Sequence, residues 1–151
     1  MKSFRYAALT LCFFSSFASA HSAANEKNPY IVHRQAIYEI AGGHMGALKS
    51  ILMLKHPARE DLNYHAKAML EAFKHHGNAF PAGSDKGKTY AKKAIWNDPE
   101  GFKSKGQDAG KAMMALIEAT EKNDEKAIKQ RFAGVGKTCK SCHDDYRKKG
   151  S

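Results

Sequence analysis

The chain has 151 residues, 42% hydrophobic and 26% charged, a balance that suits one compact domain and excludes an intrinsically disordered or multidomain protein. The formal net charge of +10 would suit a nucleic-acid partner. The lysines, however, are scattered among acidic residues along helical stretches and form no basic run, so they read as solvated faces that favour anionic partners.

The first element lies outside the fold. Lys2 and Arg5 make a basic start, Tyr6 to Phe17 is apolar, and Ala18-Ser19-Ala20 matches a small-x-small cleavage site, which together predict a secretory signal peptide over residues 1–20. Its apolar part is too short for a membrane span, and no later stretch approaches the ~20 apolar residues that a span needs. The expected product is therefore a soluble periplasmic protein with no membrane insertion, one domain over residues 21–151. Losing Lys2 and Arg5 takes the formal charge from +10 to +8, and export itself argues against a nucleic-acid partner. Cys12 falls inside the leader, where lipidation would want a small residue just before it, and Leu11 is not small. The mature chain then keeps two cysteines, Cys139 and Cys142, and a pair this close in sequence is a poor structural staple.

Four helices follow. Asn28-Pro29 places a capping residue before a proline at the first helical position, and Ile31, Ile37, Tyr38, Ala41, Met45, Leu48 and Leu52 recur at helical spacing up to a stop at Pro57. A second helix runs from about Arg59 to His76 with Leu62, Ala66, Met69, Leu70 and Phe73 on one face and Gly77 as its stop. Residues 77–97 break the pattern with Pro81, Gly83, Ser84, Asp85 and Gly87. A connection this long covers something or carries function. Asp98-Pro99-Glu100 starts a third helix that continues to about Glu121, and Asn123-Asp124 starts a fourth. On the fourth, Ile128, Phe132, Val135, Cys139, Cys142 and Tyr146 alternate steps of four and three, the seam of a bundle. No segment alternates with the period of a strand. The predicted class is all-α, an antiparallel four-helix bundle.

Both cysteines thus lie on the inward stripe of the last helix, within Cys139-Lys140-Ser141-Cys142-His143. A redox dithiol wants its first cysteine at a helix N-terminus after a strand, and neither condition is met. Structural zinc needs four ligands, whereas the pair supplies two and His33, His44, His56, His65, His75 and His76 are scattered. Zinc stays open on that count alone. Covalent haem accounts for every member of the motif: thiols at i and i+3 project from one helix face, within reach of two vinyl groups on one porphyrin edge, and the adjacent histidine offers an imidazole to the iron.

"CKSCHDDYRKK" in the last helix, "HRQAIYEIAGGHMGALKSIL" in the first, and "FPAGSDKG" with "AIWNDPEGFKSKG" between them resemble the class II c-type cytochromes, cytochrome c prime in particular, across essentially the whole mature chain. The resemblance implies one haem c on Cys139 and Cys142, His143 as axial ligand, Arg34 and Gln35 bordering the haem and its propionates, Arg147 near the proximal pocket, and a homodimer through the first two helices. It also places Tyr38 over the open haem face, where ligating relatives carry methionine. Neutral tyrosine is a feeble iron ligand, so Tyr38 is expected to act as a steric gate. Met45, seven residues on and ~10.5 Å along the axis, is the challenger. Its ordinary reading is core packing, and His33, His44 and His65 likewise read as surface or capping residues.

The expected protein binds a diatomic gas such as nitric oxide or carbon monoxide at a crowded distal face and exchanges single electrons with an anionic partner protein. It is not expected to be an enzyme. The alternatives are a low-spin electron carrier ligated by Met45 and, further off, a haem peroxidase or nitric-oxide-consuming enzyme, which wants a polar distal base. Tyr146, Phe132 and Trp96 are expected to pack around the macrocycle, and Tyr30, Ile40 and Ile51 are surplus apolar positions that could serve the dimer.

Overall fold

Residues 26–149 are described by the structure, a computed structural model. The expected signal peptide, Cys12 and the start near His21 lie outside them.

Three of the four main helices begin where side-chain caps dictate. In α1 (Pro29–Met53) the Asn28 carboxamide oxygen accepts from the Tyr30 N–H at 3.0 Å. Two short helices lead to the middle of the chain: α2 (Leu62–Lys74), entered through a 3₁₀ turn at Arg59–Asp61, and α3 (Ala94–Asn97). Asp98 caps α4 (Pro99–Glu121) through the Gly101 N–H, and Asp124 caps α5 (Glu125–Tyr146) through the Ala127 N–H, each at 3.0 Å. Such caps satisfy donors that the helix leaves unpaired. The predicted second helix therefore starts three residues late as a true α-helix, and α3 is an element that the broken pattern of residues 77–97 concealed.

The helices form an antiparallel four-helix bundle in which α1 packs on α2, α2 on α4 and α4 on α5. No strand occurs among the described residues, only an isolated antiparallel bridge between Ala91 and Arg147. The core is one cluster running through Leu48, Ile51, Met69, Met113, Leu116, Ile128, Phe132 and Val135. Ile51 belongs to it at 4% exposure, so it is not available to a dimer surface. Tyr30 and Ile40 are, at 52% and 54%.

The α2–α4 crossover folds back over one end of the bundle. Gly87 sits at φ 127°, and a Cβ there would collide with the Glu26 carboxylate and Ile31. Only glycine meets both demands. At the far end of the crossover, Lys92 N–H donates to Tyr146 O at 2.9 Å and Lys148 N–H to Tyr90 O at 2.8 Å, which stitches the loop to the C-terminus of α5.

Candidate cofactor site

The helices that close the core at one end stand apart at the other and enclose a cavity of about 470 Å³. α1 supplies Arg34, Gln35, Tyr38 and Met45 to its wall, and α5 supplies Cys139, Cys142, His143 and Tyr146, with Arg147 just beyond. The sequence-predicted residues therefore converge from chain segments about a hundred residues apart. That volume is in the range of a small-molecule or cofactor pocket and far beyond what ordinary packing leaves empty.

Cys139 and Cys142 are free thiols, half-buried one turn apart on α5. Burial raises the Cys139 thiol above its ordinary range and pushes Cys142 up to about 11, with Cys139 adding to the shift and Lys105 opposing it. A redox dithiol needs the opposite, a stabilised thiolate. His143 stands at the wall, exposed to the open space. Burial first, and then the Arg147 cation, hold its imidazole below the usual histidine range, which favours the neutral form whose lone pair a metal takes. Among the described residues no group of three or more histidines, cysteines or carboxylates gathers as a metal would need, so the two cysteines have no zinc partners around them.

Tyr38 faces α5 from the other wall. Its ring meets Phe73 edge-on and Phe80 at a tilt, each with centroids 6.4 Å away. Burial, and after it the neighbouring Cys142, raise its hydroxyl far above the tyrosine range, with Arg34 opposing. The phenol keeps its proton at any physiological pH. Met45 also reaches the cavity, but it packs against the core, and a Cβ on Gly136 would lie 3.7 Å from its Cε. Tyr38 and His143 both line the cavity, and Met45 follows Tyr38 by two turns of α1, about 10.5 Å along its axis.

Arg34 turns out to be committed inward. It is 3% exposed, and its Nη1 donates to Ala79 O and Ser84 Oγ while Nη2 donates to Ser84 O and Thr89 Oγ1, at 2.6–3.3 Å. Its guanidinium also lies 5.0 Å over the Phe80 ring and 5.9 Å from Trp96. Arg34 borders the cavity, then, chiefly as the clamp of the crossover loop. Gln35 donates from Nε2 to Lys88 O at 3.1 Å, and its Oε1 is buried without a hydrogen-bond partner. Arg147 lines the opening with its guanidinium 5.9 Å from the Tyr90 ring.

Two of the three aromatic groups expected around a macrocycle are elsewhere. Phe132 sits in the closed core, and Trp96 donates from Nε1 to Phe80 O and Pro81 O, pinning the loop. The aromatic walls are instead Phe73, Phe80, Tyr90, Phe102 and Tyr146. Tyr146 is fixed by its hydroxyl, which donates to Asp98 Oδ2 at 2.8 Å. A Cβ on Gly101 would collide with both groups, so glycine is what allows the approach.

The side chains fit a covalently held haem: two adjacent thiols on one wall, an imidazole beside them, and an apolar aromatic enclosure of the right scale. Similarity to known proteins agrees. A family model described as cytochrome c′ matches residues 30–147. Cytochrome c′ of Pararhodospirillum photometricum is 30% identical over 119 residues, covering 78% of this chain and 95% of its own. The structure of cytochrome c prime from Shewanella frigidimarina superposes with a TM-score of 0.75 at 36% identity, covering 79% of this chain and 94% of that one. A nitric oxide complex of a mutant cytochrome c prime from Alcaligenes xylosoxidans gives a TM-score of 0.74 at 25% identity, with 80% and 94% covered. The chain is therefore a haem c protein, and it belongs to the cytochrome c′ family.

Proposed function

We propose that this protein is an exported gas-binding cytochrome whose haem c is held by thioethers at Cys139 and Cys142, with His143 as its axial ligand and the opposite face left without a protein ligand. When bound, haem c supplies an iron centre able to take a diatomic gas and to exchange single electrons. The chain's own residues decide access. The observation that carries the reading is Tyr38, which lines the same cavity as His143, is kept protonated by its surroundings and is held between Phe73 and Phe80. A neutral phenol blocks without binding, so an incoming gas has only to displace a side chain. Arg34 keeps the crossover loop folded over that side, and Arg147 places a cation near His143 on the other.

The nitric oxide complex of the Alcaligenes xylosoxidans relative supports gas binding here. The membership also supports a periplasmic location, and no described helix is long and apolar enough to cross a membrane. Exposed Tyr30 and Ile40 on α1 support a homodimer through α1 and α2, and the excess of lysine supports an anionic redox partner. Among the described residues that line the cavity, Glu39 is the one carboxylate and His143 the one histidine.

Stopped-flow mixing of the reduced protein with carbon monoxide and with nitric oxide tests the gate. Tyr38→Ala should raise the association rates about tenfold or more, a barrier change of ~1.4 kcal/mol. Unchanged rates would refute a gating role for Tyr38. The second reading, a low-spin electron carrier, draws on the presence of Met45 in the same wall, and it requires Met45 to hold the iron.

A further inference from the structure

Tyr38 is held between the rings of Phe73 and Phe80, so a gas that displaces it presses it toward one of the two. Phe80 gives little. Its ring meets Phe102 at 5.0 Å and Trp96 at 6.1 Å, and the Arg34 guanidinium lies 5.0 Å over it. Trp96 and Arg34 are themselves tied to the crossover loop by hydrogen bonds. On the Phe73 side the backing is His76, whose ring stacks on Phe73 with centroids 4.3 Å apart and planes 23° apart.

That imidazole is itself fixed in place. Its Nδ1 lies 2.7 Å from Phe73 O, and since a carbonyl only accepts, Nδ1 is the donor. Phe102 meets the ring edge-on at 6.1 Å. Behind it stands α4, close enough that a Cβ on Gly106 would come within 2.8 Å of His76 Nε2. Phe73 and Phe102 line the cavity, whereas His76 and Gly106 do not. A column of packed groups thus runs from α4 through His76 and Phe73 to Tyr38. Close packing transmits displacement along such a column, so Tyr38 can yield toward Phe73 only as far as His76 lets that ring move.

We propose that His76 is a positioning residue for gas entry, acting through Phe73 on Tyr38 and setting how far the gate opens. The proposal rests on the reading of Tyr38 as that gate. His76 has a second tie, the hydrogen bond to Phe73 O at the end of α2, and the two roles call for different properties. Bracing needs the ring. Closing the helix needs the donor.

Stopped-flow mixing of the reduced, haem-loaded protein with carbon monoxide separates them. His76→Gln can keep a donor for Phe73 O and loses the ring, and His76→Phe keeps a ring and loses the donor. Association should be about threefold faster in His76→Gln and within about twofold of the wild-type rate in His76→Phe. In a Tyr38→Ala background His76→Gln should add nothing, because the two residues act in series. Ring flips of Phe73, read by NMR on the carbon monoxide complex, should quicken in His76→Gln and not in His76→Phe. An unchanged haem spectrum shows that each variant is folded, and His76→Asn replaces His76→Gln where it is not. His76→Phe as fast as His76→Gln would assign the effect to the helix end and overturn the brace, as would an acceleration that persists in full without Tyr38. A fast Tyr38→Ala beside a His76→Gln at the wild-type rate sinks this proposal alone, whereas Tyr38→Ala at the wild-type rate sinks the gate and the brace with it.

Discussion

The two ends of this bundle are built from the same helices and differ in what fills them. At the closed end Leu48, Ile51, Leu116, Ile128 and Val135 meet and leave almost no exposed surface. At the open end α1 continues with Tyr38, Gly42 and Arg34, and α5 with Cys139, Cys142 and His143, around a cavity of about 470 Å³. The four-three spacing on α5 passes through both halves without a break. Spacing therefore tells which face points inward. It does not tell whether the chain or a cofactor occupies the space, and the chemistry of the residues on the seam decides that.

The largest effect should come from removing the attachment chemistry of the open half. Cys139→Ser with Cys142→Ser should abolish covalent haem altogether, read as loss of one haem from the intact mass and of colour from the acid-acetone precipitate. A variant that keeps covalent haem would break the division. The counterpart in the closed half is Leu116→Ala, at a site with 0% exposure. It should lower stability by about 2–5 kcal/mol in urea unfolding and leave the visible spectrum as it was. A shifted spectrum would mean that the two halves are coupled through the core.

Arg34 sharpens the boundary between them. Arg34→Lys keeps the charge but loses the fork that holds Ala79, Ser84 and Thr89, and orphaned buried acceptors cost about 1–3 kcal/mol. Hydrogen exchange should then speed up in residues 79–89 and stay slow in α4. The smallest effect concerns acid stability. The Tyr146 hydroxyl first, and then the Gly101 N–H, hold the Asp98 carboxyl below its ordinary range. That depressed pKa stabilises the fold above the pKa of the unfolded carboxyl, and the contribution is lost as pH falls through the folded value. Tyr146→Phe should make the acid-side decline in melting temperature shallower.

Local signals were legible in the sequence and distant ones were not. The caps at Asn28, Asp98 and Asp124 act within three residues, so the starts of α1, α4 and α5 could be read directly. Cys139, Cys142 and His143 were legible because their chemistry lies in one short motif. The role of Arg34 was hidden because its partners lie 45 to 55 residues away, in a loop with no periodicity. Phe80 and Tyr90 were missed as site walls for the same reason. Phe132 was misplaced because an apolar residue on a seam looks the same at either end of the bundle, and Ile51, read as a surplus apolar position for a dimer, is buried in the core at 4% exposure. Trp96 was misplaced because the short α3 that carries it leaves no pattern.

The central claim is that the open half leaves one face of the iron without a protein ligand, with Tyr38 blocking it and Met45 two turns away. The most direct test is the absorption spectrum of the oxidised protein, taken with and without Met45→Leu. The account predicts a five-coordinate, high-spin spectrum that Met45→Leu leaves unchanged. A methionine–iron charge-transfer band in the wild type that disappears in Met45→Leu would contradict it and establish the electron-carrier reading instead.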